Sequence, residues 1–122
     1  MKDILPYIYE LIHDTARTEL SYADIGDAEL PIMILSETGN RAEIVCENNE
    51  AYSVIGIQID IYALTEQETR ETALRVSDIL TEAGLRRTGT RPVEEDGMKR
   101  LILEFECGID RDNRIYCGSD SY

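Results

Sequence analysis

Few residues in this chain could do chemistry, and their spacing decides what kind. The three cysteines, Cys46, Cys107 and Cys117, are an odd number with no CxxC spacing, which reads as reduced thiols rather than a disulfide frame. Cys107 falls in the apolar phase of an alternating stretch, so a small core residue is its first reading and a catalytic thiol its second. His13, the sole histidine, has Glu10 and Asp14 beside it, but no second His or Cys stands at ligand spacing. Asp110-Arg-Asp112 starts like a calcium loop. It then places Ile115 where glycine is required and Ser121 where glutamate is required, and so is rejected. Glu94-Glu-Asp96 and the Glu104/Glu106 pair could serve as general acids, yet they read better as a charged turn and a solvated strand face. Neither GxGxxG nor GxxxxGK[ST] occurs, and no GxSxG turn accompanies the histidine. No catalytic constellation, cofactor site or metal site is therefore expected.

One charge feature stands apart. Arg86, Arg87, Arg91, Lys99 and Arg100 are five of the twelve bases, gathered into 15 residues of a chain with formal charge −13. They flank the acids Glu94, Glu95 and Asp96. This basic segment reads either as a solvated hairpin or as a loop that docks on an acidic patch. If that patch lies on a second copy, the contact is heterologous and can close a ring. The remainder of the chain is acidic: residues 1–61 hold 12 acids and 3 bases, a net of −9. Such a surface repels phosphate backbones and anionic membranes, which argues against nucleic-acid and membrane partners. No apolar run approaches the roughly 18 residues of a membrane span. The N-terminal residues lack a signal-peptide pattern, so a cytosolic product is expected.

The strongest element signal is Tyr52 to Ala63. Ile55, Ile57, Ile59 and Ile61 occupy alternate positions and so share one face of a strand. Val54, Gly56, Gln58, Asp60 and Tyr62 form the other, partly wettable face. Burying the four isoleucines is worth roughly 6–12 kcal/mol gross, an upper estimate. Residues 65–83 predict a helix: Thr65-Glu-Gln-Glu68 is a capping box, Ala73, Val76, Leu80 and Ala83 make the stripe, and Gly84 then Leu85 close it. Glu71 and Arg75 are spaced as an i,i+4 pair. Residues 3–18 predict a first helix, with Asp3 as N-cap, Pro6 in the first turn and Ile4, Ile8, Leu11 and Thr15 as its stripe. Between the helices, residues 19–29 read as a loop or a short strand near Leu20–Tyr22. Pro31 to Ser36 reads as a strand closed by a turn at Glu37-Thr-Gly-Asn40. Arg41 to Glu47 reads as a second strand, and Asn48-Asn49-Glu50 as a turn. After the second helix, Leu85 to Thr90 can begin a strand and Glu94 to Gly97 a turn. Lys99 to Cys107 alternates, with Leu101, Leu103, Phe105 and Cys107 on one face and Arg100, Ile102, Glu104 and Glu106 on the other. One-sided helices and one-sided strands bury every stripe together in a two-layer α+β domain, an antiparallel or mixed sheet with both helices on one face. The domain is expected over residues 1–109, with 110–122 a polar tail bearing a small Ile115-Tyr-Cys117 patch.

Over roughly residues 3–109 this order resembles the tail terminator, or tail completion, proteins of long-tailed phages and prophages. The pieces that carry the resemblance begin with the N-terminal helix and Pro31-Ile-Met-Ile-Leu35. Gly56-Ile-Gln-Ile-Asp-Ile-Tyr62 and Leu80-Thr-Glu-Ala-Gly-Leu-Arg-Arg87 follow, then the acidic turn Glu94-Glu-Asp-Gly97 and the strand Lys99 to Cys107. The resemblance is one of architecture, with no active-site motif to match. It implies a non-enzymatic structural protein, a homo-oligomer in a hexameric ring that caps the tail tube. It also implies the major tail tube protein and the head–tail connector as partners, and a location first in the bacterial host cytoplasm and then in the virion tail. A small ligand- or peptide-binding regulatory domain, another head–tail joining protein, and an enzyme using Cys46 or Cys107 are the other readings.

Overall fold

The computed structural model describes residues 4–20, 30–45, 50–95, 97–110 and 115–116, of which 40–45, 50–53, 95, 110 and 115–116 as backbone path. In chain order the elements are α1 (Ile4–Ile12), β1 (Arg17–Glu19), β2 (Ile32–Val45), β3 (Glu50–Ala63), α2 (Glu66–Glu82), β4 (Arg86–Glu95), β5 (Met98–Asp110) and β6 (Ile115–Tyr116). The sheet order is β1-β2-β3-β5-β4, with β6 also paired to β5. β1 runs parallel to β2 and the other pairings are antiparallel, so the sheet is mixed. The chain has an α+β fold.

The isoleucine strand sits in the middle of this sheet. Ile57 lies opposite Phe105, Ile59 opposite Leu103 and Leu35, and Ile61 opposite Leu101 and Met33. All of these join Ile4, Ile8 and Ile12 of α1 and Ala73, Val76 and Leu80 of α2 in one buried cluster. Both helices therefore cover the same face. β3 leads through α2 to β4, and β5 lies between those two strands, a split βαβ arrangement.

α2 begins and ends as its sequence predicts. Thr65 is extended and its hydroxyl accepts from the Glu68 N–H at 3.1 Å, while the Glu68 carboxylate stands 3.3 Å from the same hydroxyl. At the other end Gly84 takes φ 104°. Its N–H reaches the Thr81 carbonyl at 3.1 Å and the Leu85 N–H reaches that of Leu80 at 2.9 Å, a complete Schellman closure. On the helix surface Glu66 pairs with Arg70 at 2.5 Å, and Glu71 accepts from Gln67 at 3.0 Å instead of pairing with Arg75.

Four expectations change. The first helix stops at Ile12 and not near residue 18: the chain turns through His13–Thr15, and Arg17–Glu19 gains a parallel ladder on β2 with Thr18 buried. β-Branched Thr15 and Thr18 suit that extended exit better than another turn of helix. The predicted turn at Glu37-Thr-Gly-Asn40 is a β-bulge, because the register of β2 against β3 shifts between Glu37 and Gly39 and the strand runs on to Val45. Within the segment expected as a polar tail, residues 115–116 add a short strand to β5. The fourth change is on the face away from the helices. Ile32, Ile34 and Tyr62 form a second buried cluster there, with Leu30 and Met98 against it. The expectations for Asp3, for most of residues 19–29, and for Cys46, Asn48, Asn49, Asp96 and Cys117 lie outside the described residues.

That second face carries a buried charge. Asp60 has no exposed surface. Arg100 meets its Oδ2 at 2.5 Å, and Gln58 Nε2 donates to its Oδ1 at 2.7 Å. The Arg100 guanidinium also stands 5.5 Å from the centre of the Tyr62 ring. Removing one partner of such a pair leaves an uncompensated buried charge. Asp60→Ala is expected to cost about 3 kcal/mol in denaturant unfolding. Joint replacement of Asp60 by Leu and Arg100 by Met is expected to cost much less. At the bulge, a methyl group added at Gly56 would meet Thr38 Oγ1 at 2.5 Å. Gly56→Ala is expected to lower stability by about 1–2 kcal/mol, and Thr38→Ala in the same chain to recover most of that loss. Thermal melts of the single and double variants check it.

Candidate functional site

β4 and β5 form an antiparallel hairpin, with Glu94 opposite Lys99, Arg91 opposite Ile102 and Arg86 opposite Glu106. This register assigns each base of the cluster. Arg86 faces Glu106 across the ladder and forms an ion pair with it. Lys99 faces Glu94 and does the same. The Lys99 ammonium, hydrogen-bonded to Glu94, holds that carboxyl below its usual range, and the lysine is raised in return. Both groups are solvent-facing, so the pair fixes side-chain placement more than it stabilises the fold.

Arg100 departs from the sequence-based grouping. It lies in the Asp60 network, with only 20% of its side chain exposed. Its guanidinium is engaged within the sheet face. The physical reason is register: Arg100 sits opposite Tyr62, diagonal to Asp60, so its side chain crosses to that buried carboxylate.

Two bases are left. Arg87 and Arg91 are exposed, and among the described residues neither makes an ion pair or a side-chain hydrogen bond. Of the acids grouped with them, Glu94 is held by Lys99. Glu95 lies on the β4 backbone opposite Met98, and Asp96 is outside the described residues. Among the described residues the group thus reduces to one strand edge with two available guanidinium groups.

Two hollows adjoin the hairpin. One, about 530 Å³, lies between the start of α2 and β4, with Thr69, Pro92 and Leu101 in its lining and the Glu66–Arg70 and Glu94–Lys99 pairs also around it. The other, about 340 Å³, is a furrow on the sheet beside the bulge, bordered by Gly39, Gly56, Thr88, Glu104 and Glu106. Neither was legible in the sequence. Each depends on strands brought together from distant segments.

His13 stacks on Tyr9 with ring centres 5.3 Å apart, and Glu10 and Asp14 lie 3.8 and 3.4 Å from its nitrogens. Among the described residues no group of three metal-ligating side chains occurs. Cys107 is buried, and burial pushes its thiol up to about 11. That is the opposite of nucleophile activation. The folded state keeps this proton longer than the unfolded chain, whose thiol ionises near 9.0. The resulting contribution is complete below that value and is lost as pH climbs through about 11. The stability advantage of wild type over Cys107→Ala is therefore expected to shrink between these limits, as read by urea unfolding across the pH series.

No protein-family model matches this sequence, and no curated protein matches it at a significant level.

Proposed function

We propose that this chain is a non-enzymatic assembly protein of the tail-terminator kind, a subunit of a hexameric ring that caps a phage or prophage tail tube and meets the head connector. The observation that carries this reading is the β4 edge: two exposed arginines, without an ion pair among the described residues, on an outermost strand of a chain with net charge −13. An acidic protein with one small cationic edge is suited to bind another acidic protein. The element order also supports it, since the N-terminal helix, the long central strand, the capped helix and the final hairpin all occur in the α+β fold. A ring with acid toward its channel would let DNA pass by repulsion. The tube protein and the connector are the partners that follow, and the host cytoplasm and then the virion tail are the places.

The hollow between α2 and β4 favours a second reading, a small ligand- or peptide-binding domain. Light scattering over a concentration series at low and moderate salt separates the two. A ring former is expected to reach several times the 13.9 kDa subunit mass, more readily once salt screens the repulsion between −13 subunits. A strict monomer at every concentration and ionic strength overturns the ring reading.

A further inference from the structure

β4 is an outermost strand that resists strand addition. Pro92 has no N–H to offer a new neighbour, and the register shift between Arg87 and Gly89 breaks the regular repeat. What the edge presents is side-chain charge. Arg87 stands opposite Phe105 and Arg91 opposite Ile102, and those two β5 residues lie on opposite faces of the sheet. The arginines therefore flank the edge from its two sides, roughly 13 Å apart along the strand. A partner must bring carboxylates at a similar spacing on a ridge that fits between them.

The chain carries such a ridge. Glu71, Leu74, Arg75, Asp78 and Glu82 are all exposed and follow one another at helical spacing along the outer side of α2. Glu71 and Asp78 are two turns apart, roughly 10 Å. Asp78 and Glu82 have no partner among the described residues, and Glu71 holds only the neutral amide of Gln67. Leu74, 64% exposed, lies among them as an apolar contact point. We infer that the β4 edge, through Arg87 and Arg91, docks on the outer face of α2 in a second copy of the chain, against Glu71, Asp78 and Glu82 with Leu74 covered. The inference rests on the ring reading and names its two contact surfaces. The surfaces differ, so the contact is heterologous, with one of each on every copy.

Paired charge reversals test it. One variant carries Arg87→Glu and Arg91→Glu; the other carries Glu71→Arg and Asp78→Arg. All four positions are exposed, and circular dichroism melts verify folding. Each variant alone is expected to associate roughly tenfold more weakly than wild type, or worse. An equimolar mixture is expected to recover the wild-type mass by alternation, because each variant keeps one native surface and complements the other. The second variant has a formal charge of −13 + 4 = −9, so general repulsion alone would make it associate more readily. Its weakening therefore reports the specific contact. If both variants associate like wild type, this docking is overturned while the ring reading stands on other surfaces. If wild type never associates, both fall. If the mixture fails to recover, the pairing is wrong. An oligonucleotide bound by wild type and by the α2 variant, but not by the arginine variant, would reassign the edge to phosphate and also overturn the inference.

Discussion

The two faces of β3 constrain everything around it. Ile55, Ile57, Ile59 and Ile61 fill the helix side, and Asp60 and Tyr62 are buried on the other, beside half-buried Gly56 and Gln58. A slip of one residue would carry Asp60 into the isoleucine cluster and leave Arg100 opposite apolar side chains. Hydrophobic burial thus favours one register, and the buried ion pair penalises its neighbours. The pair itself contributes little net stability, since desolvation offsets most of the attraction. Its physical effect is on choice among registers. With β3 and β5 locked, β4 has one place to go, and the hairpin charges fall where they do.

That locking explains why a group of five bases presents two. The cluster is contiguous in sequence, but a strand deals its residues alternately to two faces and a hairpin matches them to fixed partners. Glu94 and Glu106 meet Lys99 and Arg86 across the β4–β5 ladder, and Asp60 meets Arg100 from the β3 side. The net charge of the segment therefore says little about its surface. What counts is the residue left after the ladder has neutralised its own pairs. Arg87 and Arg91 are that remainder, because their register partners are Phe105 and Ile102.

The sequence carried the elements whose signals are local and periodic. The isoleucine alternation of β3, the alternation of β5 and the capped 3.6-residue stripe of α2 each depend on residues within one element, and each appears with its predicted face inward. Signals that depend on a distant partner were not legible. Arg17–Glu19 becomes a strand only because β2 is there to pair with it. Thr38-Gly39 has the composition of a turn, and the same residue types make a bulge when the strand is held on both sides of it. Asp60 looked wettable because its counter-charge lies forty residues downstream. The candidate site divides the same way: its position was legible as a charge cluster, and its composition was set by tertiary register.

The edges of the sheet bear on how such a chain can assemble. β1 covers only Ile32–Ile34 of β2, so among the described residues the remainder of that strand has no outer neighbour, as β4 has none on its far side. Two open edges on one subunit invite end-to-end sheet growth, which yields fibres. Both edges here are interrupted, β2 by the bulge near Thr38 and β4 by its own bulge and Pro92. Backbone pairing between copies is thereby made poor along both edges at once. Association between copies would then depend on side chains, and under the proposed docking its geometry would come from the angle between a strand edge and a helix flank. A fixed angle repeated between copies closes when the rotation permits, whereas a sheet edge accepts new strands without limit. Were so acidic a chain to assemble, the same interruptions would leave side-chain contacts to overcome the net repulsion, and charge pairing would favour the places where the internal ladders leave a base unspent.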